Sequence, residues 1–181
     1  MGGVTLDGKG LTLEQLEAVA RRGGSVRLDA ATLERIGGSR RGIEARVEAG
    51  EVIYGVNTGF GRLADVQIPA ESLARLQLNL LRSHACGVGA PFAEDVVRAM
   101  LLLRANVLAG GYAGVRPVVL EKLAELLNAG VHPVVPSQGS VGASGDLAPL
   151  AHLALPLVGE GEAWVGGERL PGADALARAG V

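Results

Sequence analysis

Residues 139–152 read Gly139-Ser-Val-Gly-Ala-Ser-Gly-Asp-Leu-Ala-Pro-Leu-Ala-His152. Three glycines spaced by three precede an apolar run, the pattern of a tight loop feeding a helix. Asp146 is placed to cap that helix, which the pattern carries through Leu147 to about Leu155. Pro149 falls in its first turn, where a missing N–H does no harm. The common glycine-loop chemistries do not fit. A phosphate-binding loop needs a lysine ahead of a serine or threonine, and the segment has none. A nucleophile elbow needs G-x-S-x-G, but Gly142-Ala-Ser-Gly-Asp146 puts the second glycine one place early. A dinucleotide fingerprint needs G-x-G-x-x-G, against the uniform spacing of Gly139, Gly142 and Gly145.

Ala143-Ser144-Gly145 reads as an ordinary small-residue turn ahead of a helix, a common arrangement, or as a segment able to cyclise. In a constrained turn the Gly145 nitrogen can attack the Ala143 carbonyl. Loss of two waters, one at the ring and one from the Ser144 side chain, leaves an exocyclic methylene conjugated to a carbonyl. Gly145 supplies an unhindered nitrogen, Ser144 the leaving hydroxyl, and Ala143 is small enough to fold back. A helix starting just downstream adds about half a positive charge, which favours an electrophilic methylene and negative charge on the ring.

Working outward, His132-Pro-Val-Val-Pro-Ser-Gln138 is extended, Trp164 to Leu170 forms a small hairpin around Gly166-Gly167, and the last residues, Ala173 to Gly180, read as a helix that has barely begun. Arg116-Pro117 opens a helix, amphipathic through Leu120, Leu123, Leu126 and Leu127, that ends at Gly130. From Glu94 to Leu108 the sequence is apolar on nearly every side, so that helix must be covered all round, by this chain or another subunit. Pro69 starts a helix whose stripe runs Leu73, Leu76, Leu80 and on to His84 and Gly87, with His84 facing inward. Val52-Ile53-Tyr54 reads as a short strand entering the loop Gly55-Val-Asn-Thr-Gly-Phe-Gly-Arg-Leu63. Nearer the start, Asp29 caps a helix from about Ala30 to Ala49, in which Gly37-Gly38 cost about 1 kcal/mol each relative to alanine. Thr12-Leu-Glu-Gln15 is a capping box for a helix closed by Gly23-Gly24. The expected fold class is mainly α with minor strand content.

Composition narrows the function classes. At 181 residues, 48% hydrophobic and 20% charged, the chain suits one globular domain or part of a larger one. A net charge of −2 and 3% aromatics give neither the basic footprint nor the stacking platforms of nucleic-acid binding. Cys86 is the only cysteine, which suits a reducing compartment and reads as a small core residue. The first residues lack the basic start and apolar stretch of a secretory signal, and no apolar run reaches membrane-spanning length. A soluble cytoplasmic protein is the expectation. No pair of histidines or acids has metal-ligand spacing, so neither a catalytic metal nor a nucleotide is expected. His132 and His152 read as structural, and Arg104, Asn106 and Arg116 as anchors of buried or subunit contacts.

Four segments in one order carry a resemblance: YGVNTGFG at 54–61, RSHACGVG at 82–89, RANVLAGGYAGVR at 104–116 and GSVGASGDLAPLAH at 139–152. Together they resemble the histidine and aromatic amino acid ammonia-lyases, from about Val52 to Glu162. The resemblance implies the helical ammonia-lyase (fumarase/aspartase-like) fold and a 4-methylidene-imidazol-5-one prosthetic group formed from Ala143, Ser144 and Gly145. It also implies loss of ammonia from L-histidine to give trans-urocanate, as in histidine degradation. Tyr54 would remove the substrate β-proton, and His84 would help select the substrate ring. A phenol is a weak base at neutral pH, so this role needs cationic or hydrogen-bonding neighbours. Asn57 and Thr58 would shape the loop through side-chain–backbone bonds. Apart from the resemblance, Tyr54 is readable as a half-buried strand tyrosine and His84 as a satisfied core histidine. Tyrosine-specific members also carry histidine at the second position, so a tyrosine ammonia-lyase or aminomutase is the alternative. Family chains are much longer and tetrameric, with a long helical bundle after the triad and active sites shared between subunits. Residues 1–181 are therefore expected to be the N-terminal active-site-loop region of a truncated fold that lacks the bundle. Such a piece would be either half an enzyme site or an inactive fragment. The expected partners are L-histidine and further copies of the chain, with no nucleic acid and no membrane.

Overall fold

Local chemistry sets where the helices start and stop. In α1 (Leu13–Arg22) the Thr12 hydroxyl accepts from the Gln15 N–H and the Gln15 side chain accepts from the Thr12 N–H; Gly23 ends the helix at φ +66°. In α2 (Ala30–Glu48) the Asp29 carboxylate accepts from the Thr32 N–H at 2.7 Å, which holds its pKa below the usual range. The structure, a computed structural model, describes residues 3–143 and 147–181. The remaining helices are α3 (Leu73–His84), α4 (Glu94–Ala109), α5 (Pro117–Ala129), α6 (Ala148–Ala154) and α7 (Gly172–Ala179). A 3₁₀ turn at Ala70–Ser72 leads into α3, and another at Leu155–Val158 continues α6.

The core forms around α4. Val97, Leu101, Leu102, Ala105 and Leu108 are buried against α1 and against Leu120, Leu123, Leu126 and Leu127 of α5. Truncating one of these leucines to alanine would cost about 2–5 kcal/mol. Arg98, buried in the same helix, donates to the carbonyls of Val19 (2.9 Å) and Leu127 (3.1 Å), in the closing turns of α1 and α5. That satisfies a buried cation with carbonyls that have no partner within their own helices, although burial still pushes its pKa down. A short parallel pair, β1 (Val4–Leu6) with β2 (Val26–Leu28), packs on this core. The Asn128 amide both accepts from and donates to the Val26 backbone at 2.8 Å, so β2 is paired on its other edge.

Two antiparallel sheets lead from the core toward the glycine-rich loop. β3 (Val88–Pro91) pairs with β5 (Pro136–Gln138). β4 (His132–Pro133) pairs with β6 (Glu162–Val165), which pairs in turn with β7 (Glu168–Pro171). Gly166 and Gly167 both have positive φ, as a two-residue hairpin turn requires. His132 is buried with Nε2 3.0 Å from a Glu94 carboxylate oxygen. Burial lowers its pKa more than Glu94 raises it, so the neutral ring donates from Nε2 while Nδ1 is buried with no partner among the described residues.

Four expectations are corrected. Val52–Tyr54 form no strand, because the Asn57 side chain accepts from the Ile53 N–H at 2.7 Å and donates to the Glu51 carbonyl at 2.8 Å. Those bonds occupy the backbone groups a strand partner would need. The α3 helix stops at His84, short of Gly87, because Ala85 leaves helical geometry at φ −77° and ψ +58°. Cys86 is exposed instead of packed in the core. The α6 helix begins at Ala148, later than Leu147, and has seven residues; the expected cap, Asp146, lies outside the described residues. The α4 helix is covered on one side only: Val96, Leu103 and Val107 are exposed, beside Tyr112 at 95% exposure.

Candidate active site

The loop after α2 is held by its own side chains. Asn57 and Thr58 are both buried. The Thr58 hydroxyl accepts from the Gly55 N–H (3.2 Å) and donates to the Gly59 carbonyl (2.8 Å). Together with the Asn57 bonds this pins the turn, and Gly55 supplies the positive φ it needs. Tyr54 is thereby displayed, 62% exposed, with its ring edge-on to Phe60 at 5.5 Å. Gln77 of α3 donates to the Gly55 carbonyl at 3.4 Å, which ties the loop to the helix that carries His84.

His84 closes α3 in a defined orientation. Its Nδ1 lies 2.8 Å from the Leu80 carbonyl one turn back, and the Ser83 hydroxyl donates to the same carbonyl at 2.9 Å. Two lone pairs do not face each other at that distance, so Nδ1 carries the proton and donates. In the neutral ring Nε2 is then an acceptor, unpartnered among the described residues.

Both residues open onto one cleft of about 550 Å³. Its walls come from α3, α4, α5, α6 and the Tyr54 loop, and its floor is largely leucine, including Leu80, Leu108, Leu123 and Leu150. Arg104 is the cation in this lining. Sequence reading placed Arg104 among contact anchors and missed Phe60 altogether. A signal for Arg104 was present: it lies four residues before Leu108, on the same face of α4. A forked pair joins Arg82 of α3 to Glu160, and Arg82 holds the Glu160 carboxyl below its usual pKa.

The glycine-rich loop returns to the same place. Leu147, just after the triad, lines the cleft, and the Ala148 N–H donates to the Ser140 carbonyl at 2.9 Å, closing the loop at its neck. That bond occupies the first amide of α6. Ala143 is exposed in the turn beside Gly142 (φ +61°); Ser144 and Gly145 lie outside the described residues. The structure thus brings Tyr54 and His84 into one cleft and carries the triad's neck to its edge. Of the histidines read as structural, His152 accepts from the Gly87 N–H at 3.0 Å.

A profile of the aromatic amino acid lyase family matches residues 11–181. The chain belongs to that family. The histidine ammonia-lyase of Gloeobacter violaceus is 61% identical over 178 residues, covering 98% of this chain and 35% of the relative. Among solved structures, the tyrosine aminomutase of Streptomyces globisporus superposes with a TM-score of 0.92 at 41% identity, over 99% of this chain and 34% of that one. The histidine ammonia-lyase of Trypanosoma cruzi gives 0.88 at 38% identity, over 98% and 34%. This member of the lyase family spans about a third of the length of the relatives it matches. Its helical architecture is that of aromatic amino acid lyase and aminomutase structures. Among the described residues no helix is long and apolar enough to cross a membrane, and no group of three metal-ligating side chains stands together.

Proposed function

We propose that residues 1–181 are the amino-terminal part of a cytoplasmic, homotetrameric histidine ammonia-lyase that converts L-histidine to trans-urocanate and ammonia. The observation that carries this reading is the shared cleft, in which Tyr54 stands on the same apolar surface as a histidine whose Nδ1 is tied to the Leu80 carbonyl. The identity to the Gloeobacter violaceus enzyme supports the substrate.

The residues present fit a 4-methylidene-imidazol-5-one built from Ala143, Ser144 and Gly145. The Ser140–Ala148 bond closes the loop around the triad. A Cβ on Gly139 would lie 2.9 Å from the Ala148 Cβ, and one on Gly142 2.9 Å from Leu147 Cδ1, so the residues flanking the triad leave no room for larger side chains. When formed, the ring supplies the electrophile that a substrate with a poor amine leaving group needs. The chain's own side chains do the rest. His84 accepts the imidazole N–H at Nε2 and fixes the ring; the leucine floor excludes water; Tyr54 takes the β-proton at its phenolic oxygen. A positioned base of this kind contributes about 10²–10⁴-fold. Groups that hold the substrate carboxylate come from outside residues 1–181, as does cover for the exposed side of α4. No metal and no nucleotide takes part.

A second reading, action on tyrosine, draws on the 41% identity to the Streptomyces globisporus aminomutase, and Nε2 of His84 would accept a phenol O–H as well. Steady-state turnover of L-histidine and L-tyrosine by the intact enzyme separates the two. Histidine should be preferred at least tenfold in kcat/KM, about 1.4 kcal/mol of discrimination. Equal or better use of tyrosine removes the histidine assignment.

A further inference from the structure

His152 stands on α6, the helix that follows the triad, and His84 ends α3, yet the two are joined by a short chain of contacts. His152 Nε2 accepts from the Gly87 N–H at 3.0 Å. Between Gly87 and His84 the backbone is wound tightly: the Cys86 N–H donates to the His84 carbonyl at 2.8 Å across Ala85, whose φ of −77° and ψ of +58° are those of an inverse γ-turn. A γ-turn leaves little slack, so moving Gly87 moves the end of α3. Gly87 is itself wedged. A Cβ there would lie 3.1 Å from His152 Nε2, 3.2 Å from the Pro136 Cβ and 3.3 Å from the Gln138 carbonyl oxygen. From the other side, a Cβ on Gly139 would come within 3.3 Å of the Gly87 Cα. Helix α6, the end of β5 and the turn after α3 therefore meet at one glycine, and His152 supplies the side-chain bond at that junction.

We propose that His152 is a positioning residue for substrate recognition: its bond to the Gly87 amide sets the place of the His84 ring relative to the triad loop. The inference rests on the lyase reading above for its kinetic consequence, though not for the clasp itself. Burial pushes the His152 pKa down, which keeps Nε2 an acceptor at neutral pH.

The test uses the intact enzyme with His152→Leu, which removes the acceptor, and His152→Gln, whose amide oxygen can replace it. Hydrogen exchange read by mass on peptides spanning residues 85–90 reports the clasp whether or not the enzyme turns over. It should be about tenfold faster in H152L, the weight of one hydrogen bond, and largely restored in H152Q. The KM for L-histidine should rise about tenfold in H152L with kcat within about threefold, and H152Q should return most of the way. Unchanged exchange in H152L overturns the clasp. Faster exchange with an unaltered KM, or a loss confined to kcat, overturns the link to His84. Should H152L not fold, H152Q decides alone: near-native exchange and KM uphold the acceptor role, and tenfold changes in both refute it. A wild-type enzyme that ignores L-histidine would sink the substrate reading while the exchange result still judged the clasp.

Discussion

Gly139→Ala probes the junction that places the triad loop. The new Cβ would lie 2.9 Å from the Ala148 Cβ and 3.3 Å from the Gly87 Cα. Unbonded carbons settle at about 3.5–4.0 Å, so roughly 0.6–1 Å must open between the end of β5 and α6. Gly139 is outside the positive-φ region, so the penalty is purely steric. Overpacking on this scale costs about 1–3 kcal/mol. Loss of glycine's freedom in the unfolded chain gives back about 0.4–1 kcal/mol. The two effects bracket the net destabilisation between about 0 and 2.6 kcal/mol, at roughly 2–4 °C of melting temperature per kcal/mol for a domain of this size. Ala148→Gly removes the opposing carbon, so the double variant should regain stability beyond the sum of the singles by about 1 kcal/mol. Thermal melts followed by circular dichroism on all four proteins measure the cycle. Strictly additive singles would refute the close packing of loop, helix and turn.

Tyr54→Phe keeps the edge-on contact with Phe60 and removes the hydroxyl, so kcat for L-histidine should fall at least about 10²-fold with little change in KM. A change confined to KM would remove Tyr54 as the base. His84→Leu deletes the Nε2 acceptor, and KM for L-histidine should rise roughly tenfold or more while L-phenylalanine, whose ring has no donor, becomes relatively better used; an unaltered preference would contradict ring selection by His84. Burial lowers the pKa of both His132 and His152 from 6.5, so as pH falls the unfolded chain takes up those protons first. Their stabilising contribution is complete above about pH 6.5 and is lost below it. Melts at pH 7.5 and 5.5 should show the lower value at acid pH, with a smaller difference in His132→Gln; identical melts would show that neither ring is held neutral.

Much of the helical frame was legible because its signals are local. The Thr12–Gln15 box, the Asp29 cap, Pro117 at a helix start and glycines at 23 and 130 each act within one turn, and each element begins or ends where those residues place it. The Gly166-Gly167 hairpin is of the same kind. The parallel pair of β1 and β2 was not legible, since three-residue strands separated by a whole helix carry no periodicity of their own. Val52–Tyr54 misled because β-branched residues look like a strand until the buried Asn57 claims their backbone. At the site, the family resemblance pointed to Tyr54 and His84, whereas their meeting in one cleft depends on the α3–α6 packing and the Gln77 tether. The tautomer of His84 and the acceptor role of His152 are three-dimensional facts that spacing alone does not encode.

The intact mass of the assembled enzyme, with fragmentation across residues 139–148, asks directly whether Ala143, Ser144 and Gly145 close into a ring. Ring closure should remove two waters, about 36 Da, localised to the triad and absent from a Ser144→Ala variant that still folds. An enzyme that releases ammonia from L-histidine at full rate with an unshifted mass would contradict the prosthetic-group chemistry.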